Sequence, residues 1–241
     1  MTVDLAVRPP NAVLQSMSDA DYAGLRPHIR QLVLAQGDVL FWAGGKITQA
    51  YFPHGSVVSF TVPLSVGEMV EIGMIGHDGV VDSSAAPDET ALNSGVVQIG
   101  GPATAIDLRT LRMLADQSRA LRILLCQQKL FMFAQAQQSV ACIAKHVIEE
   151  RLCSKLLRSF ELAENPVLPL THEFLAQMLG VRRTSITLAV GRLDRAGLID
   201  HRRGRIRIVD PEGLRKAACE CYEAVKADMT SLLAATHLAS Y

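Results

Sequence analysis

Arginine side chains are concentrated in residues 166–210, where eight arginines stand against four acidic residues. Five of them fall in two groups, one before a run of hydroxyl residues and one around a glycine: Arg182, Arg183, Arg202, Arg203 and Arg205. A guanidinium group is always charged, and its planar fork suits phosphate oxygens and the edge of guanine. This pattern indicates a nucleic-acid surface; a charged face that is only solvated is the alternative.

The segment PLTHEFLAQMLGVRRTSITLAVGRLDRAGLI (169–199) has the pattern of two short helices joined by a tight turn. Thr171 suits the N-cap of the first helix, and Gly180 suits a left-handed residue that ends it. A second helix opens at Arg182 and repeats inward-facing apolar residues at i, i+4 and i+7: Ile186, Val190 and Leu193. The two helices form a helix-turn-helix pattern.

The next segment, LIDHRRGRIRIVD (198–210), predicts two strands joined by an arginine-rich turn at Gly204. Alternation in the second strand puts Arg205 and Arg207 on one face. A helix-turn-helix followed by this hairpin is a winged helix, in which the second helix reads bases and the wing neutralises phosphates. An ordinary α+β domain with a polar helix and hairpin is the alternative.

The candidate DNA-binding residues lie on the outer face of these elements: Thr171, Arg182, Arg183, Thr184, Ser185, Thr187, Leu188, Arg202, Arg203 and Arg205. Arg183 is suited to a bidentate contact with guanine, and the wing arginines are suited to phosphates. Thr184 and Thr187 would make shorter and less selective contacts with bases.

The charge balance divides the chain into two halves. Overall 24 basic residues meet 24 acidic ones, but residues 1–108 hold four basic and eleven acidic side chains, and residues 109–241 therefore carry a net charge of +7. The composition, 49% hydrophobic and 20% charged, excludes the disordered class. No apolar stretch is long enough to cross a bilayer and the N-terminus lacks a signal pattern, so we expect a cytoplasmic protein with no membrane partner.

Eleven of the 17 glycines lie between Gly37 and Gly101, among short β-branched runs at 57–62, 69–75 and 96–99. This pattern predicts a sandwich or barrel of short strands. From Asp107 onward the pattern becomes helical, with a long helix over about 116–145 and a second over about 146–163. The long helix is either a core helix or a dimerisation helix. The dimer prediction uses one stripe: Leu121, Leu124, Leu125, Gln128, Phe131, Met132, Gln135 and Cys142.

Residues 30–210 resemble the Crp/Fnr superfamily of transcription regulators. The resemblance is specific in LTHEFLAQMLGVRRTSITLAVGRL (170–193) and looser in GEMVEIGMIGHDGVV (67–81). It implies an α+β fold with an N-terminal double-stranded β-helix (jelly-roll) sensor domain, a long dimerisation helix and a C-terminal winged helix-turn-helix. The implied division of the chain has four parts: an N-terminal segment 1–20, a cyclic-nucleotide-binding-like sensor 21–115, a dimerisation helix 116–145 and a DNA-binding domain 146–241.

The resemblance also implies roles for single residues. Arg183 matches the arginine that reads guanine, and Arg182 and Ser185 match positions that contact phosphates. Thr184 and Leu188 stand where cyclic-AMP-responsive members have glutamate and a second arginine, so a different operator sequence is expected. The implied protein is a homodimer on a two-fold operator in double-stranded DNA, with RNA polymerase as a further partner.

The sensor lacks the features of a cyclic-AMP site. Gly67-Glu68-Met69 is a fragment of the family's phosphate cassette, and ETALNSG (89–95) lacks its arginine. No lysine or arginine lies between Lys46 and Arg109, whereas seven carboxylates do: Glu68, Glu71, Asp78, Asp82, Asp88, Glu89 and Asp107. A buried phosphodiester would meet like charge, so a cyclic nucleotide is not expected. The small-molecule effector is unknown: a neutral or cationic ligand, or none, stays open.

No catalytic residue, metal or cofactor is predicted. The five cysteines are expected to be reduced thiols. Cys219 and Cys221 are placed in a C-terminal helix, where a two-residue offset would point them to different faces; a redox role for this pair is the alternative. His77 beside Asp78 is read as a solvent-exposed turn residue, with a haem ligand or pH sensor as alternatives. A β-roll (cupin-like) enzyme, or a ligand-binding protein whose helical domain does not bind DNA, is the competing function, although the chain has none of the usual catalytic motifs.

Overall fold

The computed structural model describes residues 7–65, 68–81 and 90–238, and it confirms the α+β fold class. Gly67 of the cassette fragment and the predicted acidic residues Asp82, Asp88 and Glu89 lie outside these ranges. No helix in the described ranges is long and apolar enough to span a membrane. Helices and strands are numbered below in chain order.

The N-terminal half is built from two antiparallel sheets. The first has the order β1-β7-β3, with β1 at Ile29–Leu34, β7 at Gly101–Asp107 and β3 at Gln49–Pro53. The second has the order β2-β6-β4-β5, with β2 at Val39–Phe41, β6 at Ser94–Ile99, β4 at Val57–Pro63 and β5 at Met69–Ile75. These strands form the predicted β-roll.

The interior of the roll is filled by apolar side chains. Phe41 and Phe60 are both buried, with ring centroids 6.1 Å apart. A Cβ atom on Gly95 would lie only 2.7 Å from the Phe41 ring, so the strand comes this close because residue 95 has no side chain. Interiors packed in this way leave little free volume.

Two short helices complete the core of the roll: α1 (Ala12–Ser16) and α2 (Asp19–Leu25). Val13 and Leu14 of α1 are fully buried in the same cluster as Phe52. The side chain of Asn11 caps α1 and also donates to the carbonyls of Pro53 and Gly79, at 2.8 and 2.9 Å. The described part of segment 1–20 therefore packs as part of the β-roll.

The long helical region contains a break that the sequence did not predict. Helix α3 covers Leu108–Gln117 and helix α4 covers Arg119–Lys145. Ser118 between them is extended, and its hydroxyl accepts a hydrogen bond from the Leu121 amide at 3.2 Å, as an N-cap does. The predicted helix 116–145 therefore begins at residue 119.

The C-terminal half is a helical domain with a small sheet. Its elements are α5 (Ile148–Ala163), β8 (Val167–Leu168), α6 (His172–Leu179), α7 (Arg183–Arg195), β9 (Ile199–Arg202), β10 (Arg205–Ile208), α8 (Pro211–Ala217) and α9 (Cys221–Leu238). The sheet has the order β8-β10-β9. Buried Leu156, Leu175, Ile186 and Ile206 join α5, α6, α7 and β10 in one core.

Polar contacts connect helix α5 to the sensor. Lys155 is buried and pairs with Glu71 of β5, and it donates to Gln98 Oε1 of β6 at 3.0 Å. Gln98 in turn donates to the Ser159 hydroxyl at 2.7 Å, and Arg158 pairs with Asp78. Burial lowers the pKa of Lys155, and the Glu71 carboxylate opposes that shift.

The prediction that Cys219 and Cys221 share a helix is wrong. Helix α8 ends at Ala217, Ala218 is extended (φ −77°, ψ 153°), and α9 begins at Cys221. Because Cys219 lies before the first residue of α9, the two cysteines do not share a helix and the helical two-residue offset does not apply to them. Both thiols are buried, and both lie next to the end of α4.

Candidate nucleic-acid interface

The helix-turn-helix forms as the sequence predicts. The Thr171 hydroxyl caps α6 by accepting from the Phe174 amide at 3.1 Å. Gly180 ends α6 in the left-handed region at φ 63°, where glycine has no steric penalty. The chain then turns, and Arg182 is the N-cap residue of α7.

Helix α7 has one buried and one exposed face. Ile186, Ala189 and Val190 are fully buried against the domain core. Thr184, Thr187 and Leu188 are exposed, Leu188 by 62%, and Ser185 is half-buried. The exposed face therefore carries the side chains that the sequence analysis assigned to DNA.

Two arginines stand at the N-terminal end of α7. Arg182 and Arg183 are both exposed. The Arg183 Nε atom lies 3.8 Å from a carboxylate oxygen of Glu173, and both side chains are about two-thirds exposed or more. An exposed pair of this kind contributes at most about 1 kcal/mol, so it leaves the guanidinium available to a nucleic acid.

The wing is a tight β-hairpin. Strands β9 and β10 pair with Arg202 opposite Arg205, and the two turn residues, Arg203 and Gly204, have φ values of 47° and 77°. Positive φ at both positions is the type I′ geometry that matches the twist of the strands. Arg202, Arg203 and Arg205 are exposed, and Arg202 Nε also lies 3.0 Å from Asp200.

The wing and the helix-turn-helix form one continuous surface. A Cβ atom on Gly204 would lie 3.4 Å from the Thr171 methyl group. The imidazole rings of His172 in α6 and His201 in β9 are stacked, with centroids 4.8 Å apart. The hairpin tip therefore lies beside the start of α6.

His172 is a site residue that the sequence analysis missed. Its Nδ1 atom lies 3.1 Å from the Thr187 hydroxyl, which donates its own proton to the Arg183 carbonyl. Since a hydroxyl has one proton, His172 Nδ1–H is the donor. Burial, the neighbouring His201 and Arg183 lower the pKa of His172, in that order of importance. Only the packing of α6 against α7 and β9 reveals this contact.

The residues predicted for the dimer interface lie mostly inside their own subunit. Leu121, Leu124, Gln128, Phe131, Met132 and Gln135 are buried; Leu125 and Cys142 are half-buried. The Gln135 side chain accepts a hydrogen bond from the Met74 amide of β5 at 3.0 Å. This stripe packs α4 onto the roll, so a partner subunit would need a different face.

The opposite face of α4 carries an exposed stripe with coiled-coil spacing. Its members are Cys126, Leu130, Phe133, Gln137, Val140 and Ala144. The steps of four, three, four, three and four residues are those of a heptad repeat. Leu130, Phe133 and Val140 are 51, 62 and 70% exposed. The heptad spacing is present in the sequence, but the sequence prediction of the dimer interface uses the more apolar stripe on the other face of the helix.

The fold combines a β-roll, a long helix with an exposed apolar stripe and a winged helix-turn-helix with a basic outer face. The comparisons with known proteins agree. Residues 150–217 match the family model of the Crp-like helix-turn-helix domain. The resemblance to the Crp/Fnr superfamily is thereby confirmed.

Solved structures with the same fold cover most of the chain. A chain from Eubacterium rectale assigned to the Crp/Fnr family has a TM-score of 0.66 at 15% identity, covering 85% of this chain and 96% of that one. FixK2 from Bradyrhizobium japonicum has a TM-score of 0.66 at 12% identity, with 79% and 98% covered. A transcriptional regulator of the CRP/FNR family from Thermus thermophilus has a TM-score of 0.65 at 21% identity, with 78% and 98% covered.

No curated protein sequence matches the chain. The matched domain and folds are those of transcription regulators, which are not enzymes. Residues 150–217 are therefore a Crp-like helix-turn-helix domain, and the chain as a whole has the fold of the solved Crp/Fnr structures. Neither comparison supports the cupin-like enzyme alternative.

Proposed function

We propose that this protein is a DNA-binding transcription regulator that binds a two-fold operator as a homodimer. The observation that carries the proposal is the exposed face of α7, on which Arg183, Thr184 and Thr187 stand free of the domain core. A recognition helix contacts base edges with the residues of its N-terminal end, which is where these side chains lie.

Arg183 reads the base sequence directly, because its guanidinium can donate two parallel hydrogen bonds to guanine O6 and N7. Leu188 and the threonine methyl groups offer apolar contact to thymine methyls. Arg182 and Ser185 lie at the start of the helix, where contact with the phosphate chain is expected.

The wing contributes affinity with little sequence information. Arg202, Arg203 and Arg205 are exposed around one hairpin tip. Because the tip lies beside Thr171, a duplex against α7 would bring its backbone to the wing. Each neutralised phosphate releases counterions, so binding becomes dependent on salt.

The dimer is proposed to form through the exposed stripe of α4, from Cys126 to Ala144, in place of the buried stripe that the sequence predicted. Two such helices would bury Leu130, Phe133 and Val140 of each subunit against their counterparts. An isologous contact of this kind has two-fold symmetry, and a symmetric dimer reads a symmetric operator.

The sensor is proposed not to bind cyclic nucleotides. Phe41 and Phe60 fill the described interior of the roll, and the cations that face it from α5, Lys155 and Arg158, are paired with Glu71 and Asp78. A phosphodiester would have to displace those pairs. As a regulator of this type the protein would act in the cytoplasm, with RNA polymerase as a further partner.

The experiment is binding of purified protein to a labelled random-sequence duplex, measured by fluorescence anisotropy over a series of salt concentrations. The proposal predicts that the logarithm of the binding constant falls linearly with the logarithm of the salt concentration. A protein that binds no duplex at low salt would contradict it and favour a regulator that acts on other proteins.

A further inference from the structure

Three cysteines and one histidine converge at the junction between α4 and the C-terminal helices. The ligand atoms of Cys142, His146, Cys219 and Cys221 all lie within 4.8 Å of one another. Cys219 and Cys221 are each only 6% exposed, and the other two side chains are partly buried. These residues have no role in the DNA-binding surface described above.

Two separate parts of the chain supply the four groups. Cys142 lies in the last turn of α4, and His146 follows four residues later as its C-cap. Cys219 lies between α8 and α9, and Cys221 is the first residue of α9. Because Cys219 precedes the helix, the helical two-residue offset does not separate the two thiols, and both lie within 4.8 Å of the other ligand atoms.

The spacing suits a single metal ion. The Cys142 and Cys219 sulfur atoms are 3.6 Å apart, and Cys221 Sγ lies 3.4 Å from His146 Nδ1. Tetrahedral zinc with Zn–S bonds of about 2.3 Å has ligand atoms about 3.8 Å apart. Cysteines that bind different irons of one cluster would be farther apart, so the distances favour a mononuclear site over an iron–sulfur cluster.

Further side chains orient the four groups. His146 Nε2 lies 3.1 Å from a carboxylate oxygen of Glu220, which leaves Nδ1 free to face the cysteines. The Ser154 hydroxyl lies 3.1 Å from Cys219 Sγ, and Gln138 Nε2 donates to Cys221 Sγ at 3.1 Å. A histidine that donates its distal N–H to a carboxylate is the usual support of a metal ligand.

Two of the four ligand residues border a cavity. A cavity of about 120 Å³ between β5, α4, α5 and α9 is bordered by Cys142 and Cys221.

We propose that Cys142, His146, Cys219 and Cys221 form a structural zinc site of the Cys₃His type. Thiolate and imidazole ligands select zinc over the hard cations, and four protein ligands leave no open position for catalysis. The site would connect the end of the dimerisation helix to the helices that follow the wing. Resting on the proposed function, the inference is that the metal fixes the DNA-binding domain relative to the dimer axis.

The test measures metal content directly. The protein is purified under anaerobic, reducing conditions from cells supplied with zinc, and zinc, iron and acid-labile sulfide are quantified. The expected ratio is about one zinc per subunit. Reconstitution of the apoprotein with Co²⁺ is expected to give the intense visible bands of tetrahedral cobalt together with thiolate charge transfer.

Variants locate the site. Cys221→Ser and Cys219→Ser are expected to lose stoichiometric zinc, while Cys126→Ser, which changes an exposed cysteine of α4, retains it. Glu220→Gln keeps all four ligands and is expected to weaken metal affinity by about 10–100-fold. Circular dichroism checks that each variant is folded. The cobalt spectrum of the wild type tests the site even if a variant fails to fold.

The zinc site is overturned if the reduced wild type binds neither zinc nor cobalt, if iron accompanies acid-labile sulfide, or if Cys126→Ser loses metal as Cys221→Ser does. A Cys142–Cys219 disulfide in place of metal would also overturn it. Zinc bound by a protein that does not bind DNA would support the site and contradict the proposed function, so the two failures are distinguishable.

Discussion

His172 in α6 donates a hydrogen bond to Thr187 in α7, with 3.1 Å between Nδ1 and the hydroxyl oxygen. Thr187 donates its own proton to the Arg183 carbonyl at 3.1 Å. The two helices of the helix-turn-helix are thus joined at the end of α7 that carries the proposed base-reading arginine. A neutral His172 ring with its proton on Nδ1 is sufficient for this contact. A second proton, on Nε2, would place a positive charge beside His201 and Arg183.

The burial of His172 beside His201 and Arg183 predicts a pH dependence of stability. Because the pKa of His172 is lowered from 6.5 in the folded protein, the unfolded chain binds more protons below that value. The stabilisation is fully present above pH 6.5 and is lost as the pH falls toward the lowered pKa. The free energy of unfolding of wild type minus that of His172→Gln should therefore be larger at pH 7.5 than at pH 5.

Urea unfolding of both proteins at the two pH values measures this difference. His54, whose pKa is also lowered by burial, is present in both proteins and cancels. A difference that does not change between pH 7.5 and pH 5 would contradict the lowered pKa of His172.

Arg183 and Arg203 are predicted to act differently on DNA. Arg183→Ala should lose about 1–3 kcal/mol of discrimination at one base of each half-site. Arg203→Asn keeps a residue that tolerates positive φ. It should weaken binding to operator and random DNA equally. The slope of log K against log salt should become shallower by about 0.9 for each phosphate that is no longer neutralised. Competition binding measures both, with Arg122→Gln on the exposed side of α4 as the control. The reverse pattern would overturn the docking geometry.

The proposed dimer predicts an effect of Phe133, which is 62% exposed in one subunit. Phe133→Asp removes two phenylalanines from the interface, at about 1.5–3 kcal/mol each, and should weaken dimerisation by about two to four powers of ten. Met113→Asp, an exposed apolar residue of α3, is the matched control. Light scattering that shows the same dimer for Phe133→Asp as for wild type would exclude this interface.

Two glycines are predicted to respond to alanine in opposite directions. A Cβ atom on Gly101 would overlap the backbone carbonyl of Gly55, so Gly101→Ala should destabilise by about 1–3 kcal/mol or more. Gly191 lies inside α7, and among the described residues nothing comes within 4 Å of its Cβ position. Gly191→Ala should stabilise by about 0.5–1 kcal/mol. Chemical denaturation of both variants measures whether the free energy of unfolding falls or rises.

The buried pair Lys155–Glu71 holds α5 against the sensor. Lys155→Met leaves the Glu71 carboxylate buried without its cation, which should cost about 3–5 kcal/mol of unfolding free energy. Adding Glu71→Gln should recover much of that loss, because neither charge is then buried alone. A double variant as unstable as the single one would mean that the side-chain packing of Lys155, and not its charge, is what matters.

The helix-turn-helix and its wing were the part of the fold most open to prediction from sequence. Thr171, Gly180 and the Ile186, Val190, Leu193 repeat are local signals whose spacing already fixes caps, turn and buried face. The wing followed for the same reason, since Arg203-Gly204 is a local turn signal. Each of these features is set by residues close together in the chain, so the order of residue types is enough to predict it.

Features made by distant parts of the chain were not predictable in the same way. The apolar stripe with Leu124 and Phe131 identifies a buried face of α4 but does not say whether the roll or a partner buries it. The convergence of Cys142 with Cys219 depends on where α8 ends, because a continuous helix through Ala218 would have turned Cys219 and Cys221 apart. In both cases the missing information is the relative placement of elements.

The proposed function is tested most directly by selection of duplexes from a randomised pool with the purified wild-type protein, followed by sequencing. A homodimer that reads DNA with Arg183 should enrich a two-fold-symmetric site whose half-sites lie about one helical turn, 10–10.5 base pairs, apart. Each half-site should contain a guanine whose preference is lost in Arg183→Ala. A pool without enrichment, or an enriched site without two-fold symmetry, would contradict the proposed function.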